Sequence, residues 1–331
     1  MFHLTESEVM ANWSKEQPVL VSVCCITYKQ EKYIVQAIES FLMQKTTFPF
    51  EIIIGEDCGG DSTLSILYQY QAYYPNLIKV ITSEGNVGAN ANLLRVLGVA
   101  KGDYIAICEG DDYWVDKFKI QKQYECLINR PEFHLCFTAA NSLAPNGVLK
   151  KYCFHSEAKK IFNINTIIRG GGGFMPTASL MVRAERVKII PDWFKSAPIG
   201  DFYLQVWCSL SSGAIYLPDE TCVYRLNSVG SWTEQKNRLN DHEIIAKSKE
   251  NEFCLNELAR YGHRKDFYYA IAKILHASAS LLASNKSYRL ARIEIERSWF
   301  YYKNCDFKQT LMYSLKSILW LYRFLKNALL R

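Results

Sequence analysis

The chain predicts an α/β fold, with a mostly parallel sheet flanked by helices and a helical extension at its C-terminal end. Three observations predict it. Apolar runs of strand length alternate with helical stretches up to about residue 140. Those runs end in polar clusters, as expected where loops gather at the carboxyl edge of a parallel sheet. From about Asp241 onward the pattern is almost purely helical.

The elements follow in order. Residues 1–18 are a lead-in. VLVSVCCI (19–26) is a continuous apolar strand, followed by helical periodicity from Tyr33 to Gln44. FEIIIG (50–55) is the second strand, with a helix from Thr63 to about Tyr74. LIKVIT (77–82) is the third, before a helix over 89–100. The fourth strand covers 103–108 and its helix 116–130. Right-handed crossovers bring every carboxyl end to one edge. That edge collects Thr27-Tyr28, Glu56-Asp57, Asn86 and Glu109/Asp111/Asp112. Gly170 to Gly173 then reads as a hinge or lid, and MPTASLMVR (175–183) as a strand. PIGDFYLQVWCSL (198–210) reads as a helix opening at Asp201, with short strands at AIYL and CVYR after it. The expected division is one domain over 19–240 and a helical region over 241–331.

Composition sets bounds on function. With 331 residues, 49% hydrophobic and 14% aromatic, the chain can build a sizeable core. The net charge of +6 is spread rather than massed into a stripe, which argues against a nucleic-acid partner. Of eleven cysteines, Cys24, Cys25 and Cys108 lie inside apolar runs, and no CxxC pair suggests structural zinc. The N-terminal residues lack a basic n-region and an apolar h-region, and no run reaches 18 apolar residues. A reducing cytoplasm is the expected location.

YIAICEGDDYW (104–114) is the most informative stretch. Glu109, Asp111 and Asp112 crowd the end of a buried strand, where they repel one another unless a cation neutralises them. Oxygen ligands suit Mg²⁺ or Mn²⁺, which commonly hold substrate phosphates. The plain alternative is a solvated acidic turn before the next helix. Lys119 and the KIQKQ around it read as that helix's solvated face, and His134, His155 and His242 as ordinary packing or surface residues.

Residues 19–233 resemble the family-2 glycosyltransferases, nucleotide-sugar-dependent enzymes with the GT-A fold. The landmarks are ITYKQEKYI, IIIGEDCGGDST, NVGANANLLRVLGVAKGDYIAICEGDDYW, PTASLMVR, GDFYL and YRLNSVGSW, in the family's order. Three departures stand out. Glu109 replaces the first Asp of the DxD motif, EDCGG replaces DDGS, and Asn227 stands where the family often has His. The resemblance implies a nucleotide-binding half to about residue 140 and an acceptor half after it. Thr27 and Tyr28 would cradle the base, although Tyr28 also suits a packed turn. Asp57 would accept the imide N–H of uracil or thymine. Asn86 would line the donor loop or simply form a turn. Asp111 would meet the ribose or metal, and Asp112, with Glu109, would hold Mg²⁺ or Mn²⁺. Asp201 would be the general base of an inverting transfer, with a helix N-cap as the alternative. Arg225, Ser228 and Trp232 would close over the diphosphate, or Arg225 would form a structural ion pair.

The implied reaction moves a sugar from a UDP- or dTDP-sugar to a glycan or polyprenyl-phosphate-linked acceptor in surface polysaccharide synthesis. A nucleotidyltransferase is the alternative enzyme, disfavoured by the glycine-free TYKQEKY loop. A non-catalytic glycan-binding scaffold is the alternative outside enzymes. In 308–331, Leu311, Leu315, Ile318, Tyr322, Leu325 and Leu329 fall on one helical stripe, with Lys316, Trp320 and Arg323 off it. Such a stripe suits peripheral contact with a membrane, the helices of 245–300, or a second subunit in a homo-oligomer.

Overall fold

The computed structural model describes residues 4–14, 16–228 and 239–321. The chain divides into two compact units, Met1–Lys195 with Ile199–Gln235, and Ser196–Pro198 with Lys236–Arg331. The first unit holds strands β1 (Val21–Thr27), β2 (Phe50–Glu56), β3 (Ile78–Thr82), β4 (Tyr104–Glu109), β5 (Tyr113–Trp114), β6 (Leu135–Leu143), β7 (Leu149–Tyr152), β8 (Lys160–Phe162), β9 (Met181–Arg183) and β10 (Ala214–Arg225). Its helices are α1 (Glu6–Val9), α2 (Ile34–Leu42), α3 (Thr63–Tyr73), α4 (Ala89–Val99), α5 (Lys119–Ile128), α6 (Ile164–Gly170), α7 (Ala184–Val187) and α8 (Gly200–Ser209).

The strand order is β3-β2-β1-β4-β9-β6-β10-β5, with β7 beside β6 and β8 beside β10. The first four strands are parallel, as βαβ crossovers require. The rest is mixed. β9 runs antiparallel to both β4 and β6, and β10 is parallel to β6 but antiparallel to β5 and β8. Residues 21–25 and 50–56 are buried throughout, which is why those strands read as unbroken apolar runs. The core includes Val23, Ile52, Ile54, Phe41 and Trp114.

Two local readings are corrected. Residues 175–183 form a strand only over Met181–Arg183, because Thr177–Ser179 turn as a short 3₁₀ helix. Pro176 offers no N–H to a ladder, and its carbonyl accepts the Ser179 N–H (2.9 Å) and Oγ (2.7 Å). Conversely, AIYL and CVYR belong to one strand, β10, which crosses Pro218 through register shifts at Glu220 instead of breaking.

The second unit contains α9 (Asp241–Ala259), α10 (Arg264–Ser284), α11 (Tyr288–Tyr301) and α12 (Phe307–Ser314). Asn240 caps α9 in a reciprocal box with Glu243. Ile244, Leu282, Ile295, Met312 and Leu319 form this unit's core, with Leu311 and Leu315 packed against it. The helix does not run unbroken from 308, since a turn follows Ser314. Ile318 stays exposed, and Tyr322, Arg323, Leu325 and Leu329 lie outside the described residues. Among the described residues no helix is long and apolar enough to cross a membrane.

Candidate functional site

The turn after β4 carries the acidic loop. Gly110 N–H bonds to Ile26 O and Asp112 N–H to Glu109 O, both at 3.0 Å, which fixes three carboxylates within four residues. Asp112 is fully buried and Asp111 nearly so. Burial pushes the Glu109 carboxyl up to about 8, with the Asp111 and Asp201 charges adding to it. Burial also drives Asp112 well above the usual carboxylate range, aided by Asp111 and Glu109 and opposed by Arg225. Burial and mutual repulsion thus outweigh the opposing charge of Arg225.

The end of β10 grips this loop. The Arg225 N–H donates to Asp112 Oδ1 at 2.8 Å, and its guanidinium donates to Asp111 O and Gln36 Oε1. That guanidinium also lies over Tyr33 (5.0 Å) and Tyr113 (4.6 Å). Ser228 Oγ donates to Asp111 Oδ2. Trp232 lies outside the described residues. Asp112 Oδ2 is left buried with no hydrogen-bond partner among the described residues.

The other loops of the rim meet here. Thr27 is buried at the end of β1, paired with Glu56, and its Oγ1 has no hydrogen-bond partner among the described residues. Gln30 Oε1 is likewise buried and without a partner among the described residues. A Cβ on Gly110 would lie 2.6 Å from Gln30 Oε1 and 2.9 Å from Thr27 Oγ1, so glycine alone fits between them. Tyr28 is half-buried, with the Lys29 ammonium 5.2 Å from its ring centre.

Asp57 is buried and already engaged. Its Oδ1 accepts Ser83 Oγ (3.1 Å) and Val87 N–H (2.8 Å), and its Oδ2 accepts Gly88 N–H (2.9 Å). Of roughly four acceptor positions on a carboxylate, one remains. Asn86 turns its Oδ1 back onto Gly88 N–H at 3.0 Å, the turn alternative raised above. Glu56 holds the EDCGG turn by accepting Cys58 N–H (3.0 Å) and Gly59 N–H (2.6 Å).

Asp201 stands in the first turn of α8, whose N-cap is Ile199. The cap position therefore carries no polar side chain. Asp201 Oδ1 accepts the next N–H, that of Phe202, at 2.6 Å. Burial lifts its carboxyl to about 6 against the pull of those backbone donors. Its charge adds to the upward shift of the Glu109 carboxyl.

Among the described residues, no three His, Cys, Asp or Glu side chains gather as a ready-made metal site. The arrangement instead suits an ion held by one or two carboxylates and completed by substrate phosphates, as Mg²⁺ commonly is. The unpaired Asp112 Oδ2 and the mutual repulsion of the acids fit that requirement.

Several residues were missed by sequence reasoning. Lys119 is fully buried, contrary to its reading as part of a solvated face. Its Nζ lies 4.3 Å from the Trp114 ring centre and 2.7 Å from Gln123 Oε1, and burial lowers its ammonium to about 8. Gln123 passes the contact on to Cys136 O (3.1 Å) and Ser179 O (2.8 Å). Positions 119, 120, 123, 126 and 127 share the inward face, a spacing that signals burial of Lys119. His155 packs among Phe162, Phe174 and Tyr216, in line with its reading as a packing residue.

The chain thus sets an acidic loop at the carboxyl edge of a parallel sheet half, with the half-buried Asp201 at the start of α8. Residues 22–183 match the model of the family described as Glycosyl transferase family 2. An uncharacterized protein of Mycobacterium tuberculosis is 34% identical over 213 residues, covering 64% of this chain and 60% of its own length. The chain therefore spans about three fifths of that relative. The putative teichuronic acid biosynthesis glycosyltransferase TuaG of Bacillus subtilis is 35% identical over 150 residues, 45% of this chain and 56% of its own. The crystal structure of S. aureus TarS 1–349 in complex with UDP-GlcNAc superposes with TM-score 0.55 at 16% identity, covering 89% of this chain and 92% of that one. The last likeness is one of fold.

Proposed function

We propose that the protein is an inverting glycosyltransferase that moves a sugar from a UDP- or dTDP-sugar to a glycan or lipid-linked acceptor in surface polysaccharide synthesis. The observation that carries this is the set of buried, unpaired polar atoms on one rim: Thr27 Oγ1, Gln30 Oε1 and Asp112 Oδ2. Unpaired buried polar atoms are costly and need a partner. The match to the family model and the teichuronic acid relative support the class of product.

In this reading Tyr28 stacks on the base, Thr27 hydrogen-bonds to it, and Asp57 offers its remaining acceptor position to an imide N–H. Asn86 shapes the loop beside it. Asp112, Asp111 and Glu109 would hold Mg²⁺ or Mn²⁺ at the donor diphosphate. The ion supplies Lewis-acid stabilisation of the departing nucleoside diphosphate. Arg225 and Ser228 hold the acidic pair in place. Asp201 removes the proton from the acceptor hydroxyl. The freed oxygen bonds to the anomeric carbon as its bond to the phosphate oxygen breaks, and the configuration inverts. A carboxyl near 6 is mostly ionised at neutral pH yet basic enough for this task. Eleven free thiols suit a reducing cytoplasm.

The test is nucleoside diphosphate release from a panel of UDP- and dTDP-sugars with Mn²⁺. Release is expected for at least one donor, with a loss of at least 100-fold in Asp112→Ala. Undiminished release in excess EDTA would refute the ion's role, and no release from any donor would refute the transferase.

A further inference from the structure

We infer that one end of the helical unit, where α9 gives way to α10 and α11 to α12, is a docking surface for an anionic lipid bilayer. This concerns where the protein sits and stands apart from the reaction proposed above.

Side-chain contacts bring these helix ends together. Tyr301, the last residue of α11, donates its hydroxyl to Glu252 Oε1 (2.7 Å) and accepts from Asn256 Nδ2 (3.2 Å), both on α9. Its ring lies 5.2 Å from that of Tyr268 near the start of α10, and Tyr302 lies 5.3 Å from Tyr269. The α9–α10 turn and the α11–α12 loop therefore share one end of the unit.

That end is aromatic where it is most exposed. Phe300, Phe307 and Tyr261 are 85%, 74% and 57% exposed, the first two more than any other large hydrophobic residue described. A single exposed apolar side chain needs no explanation, but three aromatic rings on one end mark a contact surface.

The charge at this end selects the partner. Arg264, Lys265, Lys303 and Lys308 are exposed there. Its acids are already engaged. Glu257 pairs with Arg260 at 3.0 Å, Asp306 pairs with Lys273 and caps α12, and Asp266 is buried. A second copy meeting this face about a two-fold axis would set the same cations against one another. An anionic bilayer instead offers phosphates to the cations and an interfacial layer to the rings. The apolar stripe expected over 308–331 is not the contact, since Leu311 and Leu315 pack against the unit's own core.

Vesicle co-sedimentation of the full chain tests this, with phosphatidylcholine alone and mixed with phosphatidylglycerol, at low and high salt. Binding to the anionic vesicles should exceed binding to the neutral ones by about tenfold or more and weaken at high salt. Each Lys or Arg near a charged bilayer contributes about fivefold, so the triple variant Lys265→Gln, Lys303→Gln, Lys308→Gln should lose about tenfold or more. The double variant Phe300→Ser, Phe307→Ser removes rings that face solvent and should lose a similar factor. A control pair, Lys286→Gln with Arg289→Gln at the opposite turn between α10 and α11, should bind as the parent does. Thermal midpoints equal to the parent's would separate a lost contact from a lost fold. Equal binding to neutral vesicles, an equal loss in the control pair, or full binding by either the triple or the double variant would overturn the inference. So would a dimer in sedimentation velocity that the Phe300→Ser, Phe307→Ser variant breaks, without vesicle binding.

Discussion

Replacing Asp201 by Asn should stabilise the fold while abolishing transfer. Burial lifts the carboxyl from 3.8 to about 6. The folded chain thus binds the proton more tightly than the unfolded chain, and stability falls as pH rises from about 4 to about 6. At about 1.4 kcal/mol per pKa unit, the ionised group costs the fold at most about 3 kcal/mol above that window. Asp201 is partly exposed, so solvent screening leaves about 1–3 kcal/mol. Asn keeps an oxygen for the Phe202 N–H and carries no charge. Urea denaturation should therefore show Asp201→Asn level with the parent near pH 4 and more stable at pH 7.5. Release of nucleoside diphosphate should fall about 10²–10⁴-fold at pH 7.5, and the parent's rate should climb with pH through about 6. A mere first-turn helix acid would behave in the opposite sense, losing a favourable dipole contact of about 0.3–1 kcal/mol and leaving the rate intact. A destabilised variant with the parent's rate would refute the reasoning.

Asp57→Ala removes three hydrogen bonds that hold residues 83–88, so it should lower stability by about 1–3 kcal/mol and weaken UDP binding without unfolding the protein. Unchanged calorimetric affinity for UDP would count against both the loop-holding and the base-reading roles. Lys119 is lowered to about 8 from 10.5 by burial, so the folded chain gives up this proton first. The parent should then gain up to about 3 kcal/mol between pH 8 and 10.5, a gain absent in Lys119→Met. Parallel urea midpoints for the two proteins at pH 7 and pH 10 would rule this out.

The parallel half of the sheet was legible because strands buried on both faces are continuous apolar runs, and each ends where its chemistry begins. β1 to β4 and their helices lie within a few residues of the expected spans. The mixed half was not legible. β5 has two residues, β9 has three, and β10 continues across a proline because its neighbours β6, β8 and β5 hold it. The acidic residues were visible as residue types, but their partners were not. That Asp57 is nearly saturated by its own loop, or that Arg225 lies between two tyrosines, depends on contacts across more than 100 residues for Arg225 and about 30 for Asp57. Gln30 carries no sequence signal at all. Its interest comes from an oxygen left without a donor among the described residues, which only coordinates reveal.

The grip of residues 225–228 on the acidic loop has a thermodynamic consequence. Ser228 and Arg225 occupy oxygens of the same two carboxylates that a divalent ion would draw upon. An ion that pulls Asp111 Oδ2 toward itself weakens the Ser228 contact, and that coupling is reciprocal. Whatever fastens or frees residues 225–228 must change the affinity for the ion by the same factor. Substitutions at Ser228 would thus be read in metal titrations although a serine hydroxyl is no ligand there, and metal would be read in the protection of the Ser228 amide from hydrogen exchange.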